Sequence, residues 1–244
     1  MKKFKDIYAI AVERKGSEQV LTRLLPAIKT AKELAKIDDS RYLSTMTKGI
    51  NQAGFHWQVI ENKWPQFEEA FLGFDPIKLA HLPEEAWERY MDDTRVVRNW
   101  QKIDAVKRNT QFINALRAEH GTAAQFFANW RVDDQFGLTQ YLKKNGARLG
   151  GNTGQLFLRR MGWDSYLLSR DVVLCLQQAG LDINGTPSSQ RELKLIQAAF
   201  NEWHEQSGLP YSHLSKIAAY SIGENHSSEL ILSYMGQDVY ASKE

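Results

Sequence analysis

Apolar residues recur at helical spacing along almost the whole sequence, and this periodicity limits the possible folds more than any other feature. Near the N-terminus, Val20, Leu24, Ile28 and Leu34 follow one another at roughly helical steps. Sustained alternation of apolar and polar residues, which is typical of half-buried strands, is absent. We therefore predict an all-α protein of about ten helices.

Composition narrows the class of protein further. The chain has 244 residues, of which 43% are hydrophobic and 25% charged, as expected for a globular protein with a substantial core. Its formal net charge is only +2, so affinity for a polyanion has to come from a local patch of basic residues. No run of about 18 apolar residues is present, which predicts the absence of a membrane-spanning helix. Cys175 is the only cysteine, which excludes a disulfide framework.

The segment 142–162, LKKNGARLGGNTGQLFLRRMG, combines clustered glycines with basic residues. We expect a helix to end at Gly146, a short hairpin to follow, and a second helix to begin near Thr153. Glycines let a backbone approach a ligand closely, and a helix N-terminus favours phosphate. The candidate backbone-binding residues are Leu149, Gly150, Gly151, Asn152, Thr153, Gly154, Lys144 and Arg148, with Lys143, Arg159 and Arg160 nearby. The pattern favours binding of a nucleic-acid backbone without reading of sequence, and a glycine-rich corner with solvated basic residues is the alternative.

Four segments carry recognisable motifs in a fixed order. They are QAGFHW (52–57), FDPIKLAHL (74–82), DTRVVRNWQKIDAVKRN (93–109) and LKKNGARLGGNTG (142–154). In that order they resemble QAGLSW, FDPxKxA, D-x-x-I-I-R-x-x-x-K-I-x-A-x-x-x-N and LKKRGFKFVGTT of the 3-methyladenine DNA glycosylase I family. This family lies within the helix-hairpin-helix DNA glycosylase superfamily, of which the chain looks like a divergent member. The resemblance covers roughly residues 38–165.

The resemblance implies a fold, an activity and a partner. The fold is two-lobed, all-α and helix-hairpin-helix DNA glycosylase-like. We expect one domain over residues 1–244, with a hairpin lobe at about 75–165 and a second lobe from 1–74 plus 166–230. Such an enzyme flips an alkylated, 3-methyladenine-like purine out of double-stranded DNA and hydrolyses its N-glycosidic bond. It would act without a cofactor, as a monomer in the bacterial cytoplasm, associated with the nucleoid when acting.

The resemblance also assigns roles within NQAGFHW, residues 51–57. Phe55 would be the wedge that fills the gap left by the flipped base. Trp57 would line the base pocket, where a cationic purine over an indole face gains about 1–2 kcal/mol. Gln52 and Tyr42 are further candidates for the pocket. The alternative is that Trp57 belongs to the core and Phe55 anchors a loop.

Two departures from the family pattern leave the substrate and the catalytic acid open. The family places a base-recognising glutamate three residues before the matching Gln52, and this chain has Gly49 there. Many superfamily members carry an Asp that stabilises the oxocarbenium-like sugar, and Ser169 occupies its position. Asp171, two residues later, is the candidate catalytic residue. Its alternative role is that of an ordinary acid in the first turn of a helix.

Two further departures concern the reaction type and a metal. Bifunctional glycosylases carry a nucleophilic lysine where this chain has Gln155, so we expect a monofunctional hydrolase without a lyase step. The family holds zinc with two Cys and two His, and the lone Cys175 cannot build that site, so no metal is predicted. A non-catalytic damaged-DNA-binding protein and a glycosylase for a different lesion remain the alternatives.

Overall fold

The computed structural model describes residues 1–235, which are helical without a β-strand in this range. The prediction of an all-α fold is confirmed. The described residues form fifteen α-helices, more than the ten or so predicted, because several span only four to six residues and bury few apolar positions. They are α1 (Phe4–Lys15), α2 (Glu18–Arg23), α3 (Ala31–Leu34), α4 (Asp39–Gln52), α5 (Trp57–Ala70), α6 (Pro76–Ala80), α7 (Glu84–Glu88), α8 (Trp100–His120), α9 (Ala123–Asn129), α10 (Gln135–Asn145), α11 (Asn152–Met161), α12 (Arg170–Gln178), α13 (Gln190–Ser207), α14 (Tyr211–Tyr220) and α15 (Ser228–Met235). Two 3-10 helices cover Leu72–Phe74 and Arg89–Met91.

The chain forms two compact units. The hairpin unit consists of Lys29–Arg131 and Gly137–Trp163, and the terminal unit consists of Met1–Ile28, Val132–Phe136 and the chain from Asp164 onward. These limits differ from the lobes outlined from the sequence, because residues 29–74 lie in the hairpin unit. The physical reason is α4, which packs on both α8 and α11.

Helix α4 is central to the hairpin unit. Its residues Tyr42, Leu43, Met46 and Ile50 are buried and lie on one helical face. Burial of this face against α8 and α11 fixes the helix in the core of the unit. Because α4 ends at Gln52, the same packing fixes the start of the 51–57 turn.

The terminal unit has a core of its own, built mainly by α1, α12, α13 and α14. Tyr166 stacks on Phe200 with 4.4 Å between ring centroids, and Trp203 is fully buried beside them. Helix α13 begins with a capping box in which Ser189 and Glu192 satisfy each other's backbone N–H groups. This unit carries Asp171 at the start of α12.

Candidate nucleic-acid interface and base pocket

The hairpin, residues 146–151, joins α10 to α11, and its backbone comes so close to Gly154 that a side chain there would clash. A Cβ on Gly154 would lie 2.4 Å from the backbone oxygen of Leu149, and a Cβ on Gly146 would lie 2.5 Å from Leu149 Cδ1. Gly151 has a φ of +57°, in the left-handed region that favours glycine. The second helix begins at Asn152, one residue from the predicted Thr153. Leu149 is buried, so its side chain anchors the hairpin and only its backbone can reach a ligand.

The exposed side of the hairpin is basic. Lys143, Lys144 and Arg148 are exposed, and Arg148 Nη1 donates a hydrogen bond to Gln101 Oε1 at 3.0 Å. No side chain caps the N-terminus of α11. Its first N–H groups therefore suit an anion, and the helix dipole adds to the attraction. By contrast, Arg159 is buried and does not belong to this exposed surface.

The wedge turn, residues 51–57, presents a large apolar ring to solvent. Helix α4 ends at Gln52, Gly54 turns the chain with a φ of +74°, and α5 begins at Trp57. The Phe55 side chain is 44% exposed, which is unusual for phenylalanine. This exposure fits a wedge and does not fit a ring that anchors a loop by burial.

Lys102 of α8 stabilises the wedge turn through contacts of its ammonium group. Its Nζ donates hydrogen bonds to the backbone oxygens of Asn51 at 2.9 Å and Ala53 at 3.0 Å, and lies 4.3 Å from the Phe55 ring centroid. Burial, together with the positive charge of Arg148, lowers the pKa of Lys102 to about 8. Sequence reasoning missed this role, although Lys102 stands four residues before the buried Val106 on the apolar face of α8.

Trp57 faces a cation. Arg160 of α11 lies over its ring, with 4.7 Å between the guanidinium Cζ and the ring centroid. Trp57 itself is half-buried. A Cβ on Gly49 would lie 3.7 Å from both Arg160 Nη1 and Thr153 Cγ2, so the glycine borders the same space. The wedge turn, α4 and α11 therefore meet around this tryptophan.

Gln52 is buried at the end of α4. Its Nε2 donates to Glu61 Oε1 at 2.7 Å, and its Oε1 has no hydrogen-bond partner among the described residues. Glu61 also forms an ion pair of 2.6 Å with Lys48. A buried acceptor without a partner is costly, and a ligand that donates a hydrogen bond to it would relieve that cost. The place of Gln52 in the base pocket stays a prediction, and this acceptor is the observation that favours it.

Tyr42 lies in the core of the hairpin unit. It is fully buried, stacks on Phe127 with 5.1 Å between centroids, and donates its hydroxyl to the backbone oxygen of Leu34 at 3.1 Å. Burial raises its pKa well above the usual value. Core packing accounts for this residue without a ligand, and its place in the base pocket stays a prediction.

Asp171 lies in the first turn of α12, whose N-cap is Ser169. Ser169 Oγ accepts a hydrogen bond from the Val172 N–H at 3.3 Å. The half-buried Asp171 carboxylate lies against Gly223, where a Cβ would come within 2.5 Å of Oδ1. Asp171 belongs to the terminal unit and Trp57 to the hairpin unit. The catalytic role of Asp171 stays a prediction, as do the roles of the pocket and wedge residues.

The residues present do not fit the zinc site of the resembling family. Cys175 is buried, with Sγ 3.5 Å from Ser221 Oγ, and the chain has no second cysteine. Within residues 1–235, no three side chains of His, Cys, Asp or Glu cluster closely enough to hold a metal ion. None of the helices in that range is long and apolar enough to cross a membrane.

Comparison with known proteins identifies the motif-bearing part of the chain. Residues 33–149, just under half of the chain, match the family model described as methyladenine glycosylase. The DNA-3-methyladenine glycosylase 1 of Escherichia coli (strain K12) is 35% identical over 60 residues, which are 25% of this chain. The match spans about a third of that relative, 32% of its length.

Two solved structures share the fold. The crystal structure of Methanocaldococcus jannaschii 8-oxoguanine DNA glycosylase is 16% identical and has a TM-score of 0.53, covering 96% of this chain and 93% of that one. The 8-oxoguanine glycosylase/lyase of the same organism, crystallised with a 15mer DNA containing 8-oxoguanine, gives 16% identity and a TM-score of 0.53, covering 87% and 95%. At this identity, the likeness concerns the fold alone.

The helical architecture and the glycine hairpin define the class: this is a helix-hairpin-helix DNA glycosylase fold. Within that class, the family match confirms the resemblance carried by the motifs. Residues 33–149 match that family's model, and Gly49 stands where the resembling family keeps a glutamate.

Proposed function

We propose that the protein is a monofunctional DNA glycosylase, which flips a damaged purine of the alkylated class out of double-stranded DNA and hydrolyses its N-glycosidic bond. One observation carries this proposal. The solvent-exposed Phe55, braced by Lys102, stands in the same compact unit as a hairpin with basic side chains and an uncapped helix N-terminus. An apolar wedge and a phosphate-binding hairpin are the two parts that base flipping needs.

In this proposal, the hairpin holds the DNA backbone while Phe55 fills the gap in the base stack. The extruded base stacks on Trp57, a half-buried indole ring. Water then attacks C1′ of the sugar and the C1′–N bond breaks. A cationic alkylated base leaves as a neutral molecule with the bonding electrons, and the proton that water loses passes to solvent. The Asp171 carboxylate would stabilise the positive charge that develops on the sugar.

The absence of a lyase step follows from Gln155. A lyase needs an amine that attacks C1′ and forms a Schiff base, and a glutamine amide cannot do so. Gln155 is buried in α11, and the motif resemblance assigns that nucleophile to its position. We therefore expect release of free base with the DNA strand left intact.

A non-catalytic protein that binds damaged DNA is the second candidate. It is favoured by Ser169, which stands in the superfamily position of the catalytic Asp and caps α12 with its hydroxyl. A serine at that position cannot supply a negative charge to the sugar. On this alternative, wedge and hairpin would bind a lesion without cleavage.

The two candidates are separated by measuring free base released from methylated duplex DNA. The glycosylase should release base under single-turnover conditions, leave alkali-sensitive abasic sites, and give no covalent adduct when borohydride is added. Lesion-selective DNA binding without release from methylated, deaminated or oxidised duplexes would establish the non-catalytic alternative. A borohydride-trapped adduct would refute the monofunctional mechanism.

A further inference from the structure

Two consecutive residues at the start of α8 contact the two parts of the candidate interface. Gln101 Oε1 accepts a hydrogen bond from Arg148 Nη1 of the hairpin at 3.0 Å. Lys102 Nζ donates hydrogen bonds to the backbone oxygens of Asn51 and Ala53 in the wedge turn, at 2.9 Å and 3.0 Å. Successive residues of an α-helix are only about 1.5 Å apart along its axis, so the hairpin and the wedge turn are held at nearly the same level of α8.

The backbone that carries Gln101 and Lys102 is fixed by the cap of α8. Asn99 is the N-cap residue, and its Oδ1 accepts a hydrogen bond from the Lys102 N–H at 3.2 Å. Such a cap stabilises the first turn of a helix. Lys102 is also buried, so both side chains extend from a well-defined part of the backbone.

Asn109, two turns further along α8, fixes the hairpin backbone next to Arg148. Its buried side chain donates to the Ala147 oxygen at 3.1 Å and accepts from the Ala147 N–H at 2.8 Å. Arg148 itself has a φ of +57°, in the left-handed region that non-glycine residues rarely adopt. Backbone strain of this kind persists only where the surrounding structure imposes it, and it is frequent at ligand-binding sites.

The Arg148 side chain is exposed, and Gln101 is its only side-chain hydrogen-bond partner among residues 1–235. A guanidinium has five N–H donors, so most of the group stays open to a phosphate while Gln101 holds it in place. The hairpin therefore presents an arginine whose position is set before DNA arrives.

We infer that Gln101 is a positioning residue for base flipping, which acts through Arg148 and holds the phosphate contact of the hairpin at a fixed spacing from the wedge Phe55. Lys102 does the same for the wedge turn. This inference rests on the proposed function, because it takes Phe55 as the wedge and Arg148 as a phosphate contact. The spacing matters only when the wedge fills a gap, since on intact DNA a mobile Arg148 can contact whichever phosphate is nearest.

The test measures dissociation constants by fluorescence anisotropy for a duplex with a tetrahydrofuran abasic analogue and for the same duplex intact. Gln101→Met keeps the length of the side chain and removes the acceptor of the Arg148 hydrogen bond. The affinity of the full-length variant for the abasic duplex should fall about 3- to 10-fold, the effect of ordering one long side chain on binding. Its affinity for intact DNA should stay within about twofold of the wild type. The matched control is Gln66→Met on α5, an exposed glutamine that accepts from Lys63 Nζ at 3.2 Å and should change neither affinity.

Two double-mutant cycles show whether Gln101 acts through Arg148 and together with the wedge. Arg148→Ala should weaken binding to both duplexes and reduce the salt dependence of log Kd by about one phosphate contact. In that background, and equally in Phe55→Ala, the Gln101→Met change should have no further effect on the ratio of the two dissociation constants. A glutamine that contacted DNA directly would keep its effect in both backgrounds, and that result would overturn the inference.

The outcomes separate this inference from the proposed function. If the wild type prefers the abasic duplex and a folded Gln101→Met variant keeps that preference in full, the inference is wrong and the wedge stands. A wild type without any preference for the abasic duplex refutes the wedge and the inference together. Base release is then measured on methylated duplex DNA. Absence of release, with the effect of Gln101→Met on the abasic duplex present, refutes the enzyme and leaves the positioning role of Gln101 intact.

Discussion

Replacing Phe55 with alanine should abolish the preference for a gap in the DNA stack while leaving the fold intact. The ring is 44% exposed, and the Lys102 ammonium lies 4.3 Å from its centroid. A cation–π contact between this half-exposed ring and the buried Lys102 ammonium contributes about 0.5–2 kcal/mol, so the loss of stability should be about 2 kcal/mol or less. In the complex, a ring stacked against neighbouring bases contributes about 1–3 kcal/mol, or about 5- to 150-fold in affinity.

The assay needs no knowledge of the preferred lesion. The dissociation constant is measured for a duplex with a tetrahydrofuran abasic analogue and for the same duplex intact. Phe55→Ala should lose about 10- to 100-fold of the preference for the abasic duplex and keep its affinity for intact DNA, which depends on the hairpin.

Two variants serve as controls for Phe55→Ala. Phe55→Leu retains an apolar wedge and should stay within about threefold of the wild type. Ile77→Ala removes a side chain that is 50% exposed in the same unit and should change neither affinity. Retention of the abasic preference by Phe55→Ala would refute the wedge, as would a parallel loss of both affinities with unfolding.

Three further perturbations test the hairpin, the carboxylate and the brace. Gly154→Ala forces a Cβ to within 2.4 Å of the Leu149 oxygen, so urea denaturation should show a loss of stability of about 1–3 kcal/mol, and fluorescence anisotropy should show weaker DNA binding. The control Gly185→Ala, whose Cβ would have no atom within 4 Å, should change neither quantity. Equal behaviour of the two variants would contradict this reasoning. Asp171→Asn should slow base release by about 100-fold or more at unchanged affinity for the abasic duplex, and an unchanged rate would leave Asp171 as a first-turn acid only. The pKa of Lys102 is lowered from 10.5 to about 8, so the unfolded chain binds this proton more tightly than the folded protein does. In urea titrations, the stability of the wild type relative to Lys102→Met should therefore rise between about pH 8 and 10.5. A stability difference that does not depend on pH would show that the pKa is not shifted.

The fold was largely predictable because its signals are local. Helical periodicity, glycines at the hairpin and the start of α11 depend on residues that are close in sequence. The grouping of residues 29–74 with the hairpin was not predictable in the same way. It depends on α4 packing against α8 and α11, which contribute their apolar faces from much later in the chain.

The same difference between local signals and contacts distant in sequence decides which parts of the candidate site were predictable. The wedge turn was recognisable, since Gly54 and two large rings stand within a few residues. Lys102 was not, because its partners are backbone oxygens about fifty residues away and a lysine in a basic helix is usually solvated. Arg160 and Trp57 are even farther apart in the sequence, and only the packing of α11 on α4 brings their side chains into contact.

Phe55 and Trp57 of the wedge turn are each paired with a cation from a different helix, and the consequences of the two pairs differ. Lys102 of α8 donates to two backbone oxygens, so we expect it to stay in place and hold the turn when Phe55 acts as the proposed wedge. Arg160 of α11 lies over the Trp57 ring, on which the proposed function stacks the flipped base. Loss of Lys102 should therefore weaken binding to every gapped duplex equally, since it loosens the wedge whatever base has been extruded. Loss of Arg160 should alter the ranking of bases with little effect on the abasic duplex, which places no base against Trp57.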